Sequence, residues 1–372
     1  MIDRSDSSDR GRLDAVRRGL REHGAVVAVF GLSSNLRYLT GFTDEPGERA
    51  LLLLVAAEGE VWMVVPELYV AEVTAHSPPA TVLPWADGDD PMRIVRRIAD
   101  GLRERTGRVL VDDALWAAFL LPLQAAFGGR AFGLTSDVMT SLRACKATDE
   151  VAAMRRAGGI ADRALESALS EPIVGLTELQ LAGRLEAAML ARGANGIAFE
   201  TLVASGPNGA LPHHRAGART IEPGDVVILD YGCRVDGYCS DITRTVACGP
   251  ASPRVEAVHD AVLRAHDAAI ERAAIGTPAE AVDRAAREVL TAAGYGPNFV
   301  HRTGHGVGLD IHESPYIVEG NRKNLQAGMA FSVEPGAYFA EEFGVRIEDV
   351  VVVGENGAVS MTMAPRELRR VD

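Results

Sequence analysis

Cysteine, positive charge and long apolar runs are all scarce in this chain. Four cysteines occur in 372 residues, at Cys145, Cys233, Cys239 and Cys248, and none forms a CxxC pair. A chain of this length has enough apolar material for its cores and needs no disulfide staples, so free thiols are expected. Only Cys233 and Cys239 are spaced so that a hairpin would bring them close. Lys and Arg total 38 against 51 Asp and Glu, a formal net charge of −13. That balance lacks the basic footprint of a general nucleic-acid binder and opposes docking on anionic lipid. The clearest apolar run, Ala50–Ala57, is too short to cross a bilayer and reads as a buried strand. The opening residues, MIDRSDSSDRGR, are polar and of mixed charge, without the apolar core of a secretory signal. A cytoplasmic protein with neither nucleic acid nor membrane as partner is expected. No short-period repeat, low-complexity segment or GxGxxG phosphate loop is present.

What is present is organised in two stretches. The length implies two or three domains, and a hydrophobic fraction of 47% is ample for their cores. The first third alternates short apolar runs with helical patterns. Ala25–Phe30 reads as a strand, and Leu51–Val55 and Val61–Val65 read as a hairpin around Glu58-Gly59-Glu60. Pro91–Thr106 carries Ile94, Val95, Ile98 and Leu102 at helical spacing. Val109–Val111 and Ala114–Phe127 supply a further strand and helix, an α/β pattern. The composition then shifts to an Ala-rich, charged helical stretch, 144–169. Thr148 is placed to cap it, with Asp149 and Glu150 in the first turn. The division expected is therefore 1–143 and 144–372. The second stretch predicts helices near 177–192, 253–274 and 278–293. Strand candidates are 198–204, 226–234, 238–247, 329–333 and 345–353. Strands separated by runs of helix imply a sheet with helices packed on one side, an α+β fold.

Five residues of the second stretch stand in short contexts suited to metal binding: Asp230 (LDYG), Asp241 (CSDITRT), His305 (RTGHGVGLDIHE), Glu334 (FSVEPG) and Glu348 (GVRIED). Four carboxylates and one imidazole can balance two divalent cations, and the oxygen-rich set favours Mn²⁺ or Co²⁺ over thiolate-type sites. Asp236-Gly237 is a hairpin signal. A turn there makes Asp230 and Asp241 direct or diagonal cross-strand neighbours on one face. Two buried carboxylates so close require a proton or a cation between them. Taken alone, either aspartate would read as a solvated strand residue, but VVILDYG and DITRTVA set both in apolar runs. Three glycines around His305 imply close backbone approach. Glu334 sits where an apolar strand ends in Pro335-Gly336. Alternation places Arg346 and Glu348 on one strand face, with Val345 and Ile347 on the other. His213, His214 and His312 lack ligand spacing of their own.

The ordered motifs FETLVASGPNGALPHH, IEPGDVVILDYG, GYCSDITRT, GHGVGLDIHESP, AFSVEPGAY and GVRIEDVVVV resemble the pita-bread metallohydrolases. These comprise the Xaa-Pro aminopeptidases and Xaa-Pro dipeptidases (prolidases), with creatinase and the methionine aminopeptidases as cousins. NLRYLTGF resembles the opening of the creatinase-type N-terminal domain, and LRACKATDEVAAMRRAG the entry to the catalytic domain. The resemblance implies a creatinase-like α/β domain followed by a pita-bread catalytic domain. It also implies two divalent ions, most readily Mn²⁺, with Co²⁺ or Zn²⁺ as alternatives. Asp230 would chelate one ion, Asp241 and Glu348 would bridge both, and His305 and Glu334 would complete the shell. Glu334 would also handle the proton of a bridging water. His213 takes the catalytic position of the Leu-Pro-His context in preference to His214, and His312 lines the leaving-group side. Arg346 sits close by, on a ligand carboxylate or on a substrate carboxylate. A homodimer is expected from the same likeness.

An Xaa-Pro bond has no amide N–H, and proline fixes φ. Proteases that grip substrate as an added strand rely on such N–H groups, whereas a small metal-centred site does not. The leading expectation is thus an Xaa-Pro exopeptidase acting on small peptides. The rivals are a non-peptidase hydrolase of small C–N substrates on the same scaffold, and a binding module. No ligand position is lost, which disfavours the binding module.

Overall fold

The structure is a computed structural model that describes residues 9–76 and 78–372. The polar opening segment read above lies largely outside the described residues. The chain forms two compact units, Met1–Arg143 and Ala144–Asp372.

The first unit is built on a six-stranded sheet of β1 (Ala25–Phe30), β2 (Leu52–Ala56), β3 (Val61–Pro66), β4 (Thr81–Trp85), β5 (Arg108–Val111) and β6 (Phe132–Leu134), in the order β4-β3-β2-β1-β5-β6. The expected hairpin is β2–β3, antiparallel with Leu52 opposite Val64. The apolar run 50–57 is buried throughout. Helices Met92–Gly101 and Ala117–Ala126 fall within the ranges expected of them. Val26, Val29, Leu54, Val95, Ile98 and Leu123 share one core.

The second unit carries the site. Its strands are β7 (Gly196–Ile197), β8 (Leu202–Ser205), β9 (Val226–Tyr231), β10 (Cys233–Val235), β11 (Tyr238–Cys239), β12 (Ile242–Cys248), β13 (Gly304–Gly306), β14 (Glu313–Ile317), β15 (Ala330–Val333), β16 (Gly336–Phe339), β17 (Phe343–Arg346) and β18 (Glu348–Gly354). The main sheet runs β14-β13-β15-β18-β12-β9-β8. Along β9 and β12, Val227, Leu229, Tyr231, Ile242 and Val246 pack with helices Thr148–Ala168 and Glu178–Leu190. Along β15 and β18, Phe331, Val333, Val351 and Val353 pack with helices Pro253–Arg272 and Ala279–Ala292. Alternation therefore turns Asp230, Thr243, Ser332 and Glu348 to the opposite face.

Three local details differ from expectation. Thr148 is the first helical residue, and Ala147 precedes it as the cap; the Glu150 carboxylate turns back to accept the Ala147 N–H at 2.7 Å. Of the strands expected, that over 198–204 forms only from Leu202, as β8, with Ala198–Thr201 outside β7 and β8. Those over 226–234, 238–247 and 345–353 are each split, at Gly232, at Ser240-Asp241 and at Ile347. Helix Ser34–Thr40, strands β4 and β14 and helix Ser136–Ala144 were not anticipated. All four cysteines are buried free thiols. Among the described residues no helix is long and apolar enough to cross a membrane.

Candidate metal centre and active site

The sheet brings all five ligand candidates to one cavity of about 640 Å³. Its wall also holds His213, His214, His312 and Arg346, so every site residue expected from the sequence faces the same space. β9 and β12 pair antiparallel with Thr243 opposite Asp230 and Ile242 opposite Tyr231. Asp241, one residue before β12, is therefore the diagonal neighbour of Asp230. On the other side of β12, Thr243 stands opposite Glu348. Three carboxylates thus converge from adjacent strands, and their spacing follows from register alone.

His305 enters from β13, which is squeezed between its neighbours. A Cβ on Gly304 would sit 1.8 Å from the Ser332 carbonyl oxygen, and one on Gly306 would sit 2.3 Å from that of Ser314. Only glycine permits this approach. The imidazole donates from Nδ1 to the Gly306 carbonyl at 3.1 Å. That bond leaves the Nε2 lone pair free for a cation. Nε2 lies 3.3 Å from Glu334 Oε1 and 3.8 Å from Asp241 Oδ2. Burial and the adjacent His312 lower the His305 pKa to about 3, so the ring is neutral. Glu334 closes the ring of acids at the end of β15, its N–H donated to the Thr303 carbonyl at 2.8 Å.

Each acid is held against its charge. Burial, then Glu348 and Asp230, push Asp241 well above the usual carboxylate range. Burial, then Glu334 and Asp230, do the same to Glu348. Glu334 is raised to about 7, chiefly by burial, and Asp230 is raised by burial despite Arg346 beside it. Asp230 Oδ1 is buried with no hydrogen-bond partner among the described residues. Ligand atoms of Asp241, His305 and Glu348 all lie within 4.8 Å of one another. An orphaned buried carboxylate oxygen, mutually repelling acids and a neutral imidazole with its lone pair turned inward fit divalent cations. A water or a thiolate-seeking metal fits them poorly.

Arg346 is hydrogen-bonded to one candidate ligand and its surroundings. Nη2 donates to Asp230 Oδ2 at 2.5 Å, Nη1 to the Pro212 carbonyl and to Tyr338 Oη, each at 3.1 Å, and Nε to Thr243 Oγ1 at 3.2 Å. Thr243 in turn donates to Glu348 Oε2 at 2.6 Å. The guanidinium is committed to ligand carboxylates and their supports. The two adjacent histidines divide similarly. His214 Nε2 is 2.8 Å from the fully buried Glu178, whereas the His213 ring lines the cavity without such an anchor. His312 meets His305 edge to face, with ring centroids 4.0 Å apart.

The sequence reading passed over His301 and Tyr338. His301 lines the cavity, donates from Nδ1 to the Arg302 carbonyl at 2.7 Å and accepts the Tyr338 hydroxyl at Nε2 at 2.8 Å. Burial lowers its pKa to about 4. Tyr338 closes the AFSVEPGAY motif, so its place beside the site was visible but its partner was not. Phe199, Glu200 and Thr201 also line the cavity, and nothing but their FET context pointed there.

The chain matches two family profiles. "Metallopeptidase family M24" covers residues 152–355, and "Creatinase/Prolidase N-terminal domain" covers residues 12–145. It is 41% identical over 361 residues to the probable dipeptidase PepE of Mycobacterium tuberculosis, spanning 96% of this chain and 95% of that one. It is 35% identical over 365 residues to the Xaa-Pro dipeptidase of Lactobacillus helveticus, spanning 96% of this chain and 98% of that one. Among solved structures, the recombinant prolidase from Thermococcus sibiricus superposes with a TM-score of 0.94 at 38% identity, covering 99% of this chain and all of that one (100%).

Proposed function

This chain belongs to metallopeptidase family M24, and on that premise we propose that it is a divalent-metal-dependent exopeptidase hydrolysing the Xaa-Pro bond, most directly in dipeptides. The observation that carries the proposal is the convergence of four carboxylates with raised pKa values, Asp241 and Glu348 buried and Asp230 and Glu334 half-buried, and one neutral histidine from separate motifs onto a single cavity. The dipeptide preference is supported by the names of the relatives at 41% and 35% identity, both dipeptidases.

Asp230, Asp241, His305, Glu334 and Glu348 would hold two divalent ions, with Asp241 and Glu348 shared between them. The donor set suits Mn²⁺, with Co²⁺ or Zn²⁺ as alternatives. Such ions supply a hydroxide nucleophile near neutral pH and polarise the scissile carbonyl. The chain's own groups do the rest. Glu334 takes a proton on the nucleophile's side and returns it toward the leaving proline nitrogen. His213 donates to the oxygen that becomes negative in the transition state. His312, exposed on the cavity wall with its pKa lowered by partial desolvation and then by Arg302, lines the leaving-group side as a neutral ring. Arg346 fixes the Asp230 carboxylate, and Tyr338 and His301 hold Arg346 in turn. None of these groups needs an amide N–H from the substrate, which the Xaa-Pro bond lacks.

We further place the enzyme in the cytoplasm, a reading supported by four buried reduced thiols. The proposed assembly is a homodimer, checked by sedimentation. The deciding experiment is hydrolysis of an Xaa-Pro dipeptide and an Xaa-Pro-Yaa tripeptide by metal-stripped protein, with and without added Mn²⁺. Metal-dependent cleavage of the dipeptide is expected. Cleavage of the tripeptide alone would reassign the enzyme as an aminopeptidase. Failure on both, with two metals bound, would favour a hydrolase of other small C–N substrates.

A further inference from the structure

Glu178 has no part in the chemistry above, yet its carboxylate accepts five hydrogen bonds. Oε1 receives the Ser205 N–H at 2.8 Å, the Ser205 hydroxyl at 2.7 Å and the Asn208 amide at 2.9 Å. Oε2 receives His214 Nε2–H at 2.8 Å and the Gly217 N–H at 3.2 Å. The side chain is fully buried. Burial alone would raise its pKa, but the bonds from Asn208, Ser205 and His214 outweigh burial and hold the group below the usual range.

Every one of these donors lies in a single stretch, 205–217, and that stretch carries His213. Ser205 is the last residue of β8 and Gly206–Ala210 form one 3₁₀ turn; beyond them the stretch, 211–217, has no regular structure, and Leu211 within it is exposed. It thus has little apolar anchorage, and a segment of that kind opens easily unless polar bonds hold it. The same helix start holds its far end. The Glu178 N–H donates to the Arg219 carbonyl at 3.0 Å and the Leu179 N–H to the Gly217 carbonyl at 3.1 Å. Arg219, paired with Asp225 at 2.6 Å, donates to the Ser205 hydroxyl, also at 2.6 Å. Bonds to an ionised acceptor are about twice as strong as neutral ones, so one carboxylate can hold the whole loop.

We propose that Glu178 is the positioning residue of the His213 loop, a buried carboxylate that fixes residues 205–217 so that the His213 ring meets the reacting carbonyl. His214 is the loop's anchor into that carboxylate and takes no proton in the reaction. The proposal rests on the role given to His213 above.

The test is a double-mutant cycle with Glu178→Gln and His213→Ala in the full-length, metal-loaded enzyme, joined to amide hydrogen exchange. The amide of glutamine turns donors toward the loop's donors and removes the charge. In Glu178→Gln, kcat on an Xaa-Pro dipeptide should fall about tenfold to a hundredfold, the scale of a displacement near 1 Å. KM and metal content should stay near wild type. Exchange at the Ser205 and Gly217 amides should accelerate while that of β9 does not. Adding Glu178→Gln to His213→Ala should cost less than about twofold more, because coupled residues are non-additive. Multiplying losses in the double variant would overturn the proposal, as would wild-type kcat in Glu178→Gln with Ser205 and Gly217 exchanging freely. Wild-type turnover in His213→Ala would remove the reading of His213 itself, and the proposal with it, whatever the exchange data show. If Glu178→Gln does not fold, His214→Gln gives the same cycle through one anchor. A kcat loss confined to the His213-containing background supports the proposal, and equal losses in both backgrounds overturn it.

Discussion

Glu348 and Asp349 are neighbours on one strand, both almost completely buried, and their environments pull their titration in opposite directions. Glu348 faces the cavity, where burial and the acids around it push its pKa far up. Asp349 faces the helices. There Arg244 Nη2 donates to it at 2.7 Å, Arg366 Nε at 2.5 Å and Thr362 through its hydroxyl, and His266 Nε2 stands 3.1 Å away. Arg244, His266 and Arg366 outweigh burial and hold Asp349 below the usual carboxylate range. The geometry of the His266 contact falls short of a hydrogen bond, so Arg244 and Arg366 carry most of the effect. Burial is common to both acids, so the donors make the difference. On the helix face the chain supplies its own cations, and on the cavity face it leaves the charge for something else to balance. An acid cluster that the fold leaves uncompensated is the structural mark of a metal centre.

Exchanging the two faces tests the contrast. The largest effect should come from Asp241→Ala or Glu348→Ala, each of which removes a carboxylate placed to be shared by two ions. Paired-metal binding and turnover should both be lost, and two tightly held metals by elemental analysis in either variant would refute the assignment. Next is Asp349→Asn. It removes the charge that balances the buried Arg244 guanidinium and the half-buried Arg366, and should destabilise the protein by about 3–5 kcal/mol. Denaturant titration measures it. A cost under about 1 kcal/mol would mean that the helix face is no better compensated than the cavity. Smaller again is His213→Ala. It should leave metal content intact and reduce kcat by about 10²–10³, the range for a lost oxyanion donor. His312→Ala should also spare the metals.

The two faces were unequally legible from sequence. On the cavity face, Asp230 and Asp241 stand out because they interrupt apolar strands on either side of an Asp-Gly turn, and a turn with period-two alternation is enough to predict a direct or diagonal pair on one face; the register makes it diagonal. The glycines beside His305 announced crowding, and Gly304 and Gly306 are indeed pressed against neighbouring carbonyls. The supports were not legible. Tyr338 reaches Arg346 because β16 and β17 form a hairpin with Tyr338 opposite Gly344, and no periodicity shows which hydroxyl a guanidinium will find. Glu178 reads as an ordinary acid in a helix's first turn. Its partners lie 27 to 39 residues away along the chain. The shortening of the strand expected over 198–204 had the same cause. Local pattern favoured continuation, while the cavity needed Phe199, Glu200 and Thr201 on its wall. Chemistry-bearing residues in unusual local settings can be found by local reading, but residues that act by long-range hydrogen bonding cannot.

The subtlest consequence of the contrast is the sign of a slope. In metal-free protein, burial raises Glu334 from an ordinary 4.5 to about 7, and Asp241 and Glu348 are raised well above the usual carboxylate range. A carboxyl whose folded pKa is raised binds its proton more tightly in the native state, so it favours folding at low pH and loses that contribution as pH climbs. Between about pH 4.5 and 7, a window set by Glu334, the raised acids should therefore favour folding as the pH is lowered. The neutral histidines His259, His301 and His305, their pKa values lowered by burial, oppose them. The acid contribution is therefore read as the difference between stripped wild type and stripped Glu334→Gln. Asp349 works the other way. Its depressed pKa contributes stability above its ordinary 3.8 and gives it up as the pH falls below that value. The melting-temperature difference between stripped wild type and stripped Glu334→Gln should thus grow on acidification down to about pH 4.5, and the contribution of Asp349 should be lost below 3.8. Saturating Mn²⁺ should flatten or invert the upper limb, because ligands held ionised by a cation compete with protons for the same oxygens. The lower limb should persist until the metal dissociates. Scanning calorimetry across pH 3–8, with and without metal, reads both limbs. A melting-temperature difference between wild type and Glu334→Gln that does not grow from pH 7 downward would show that the cavity acids are already balanced by the fold, and the distinction between the two faces of the strand would fail.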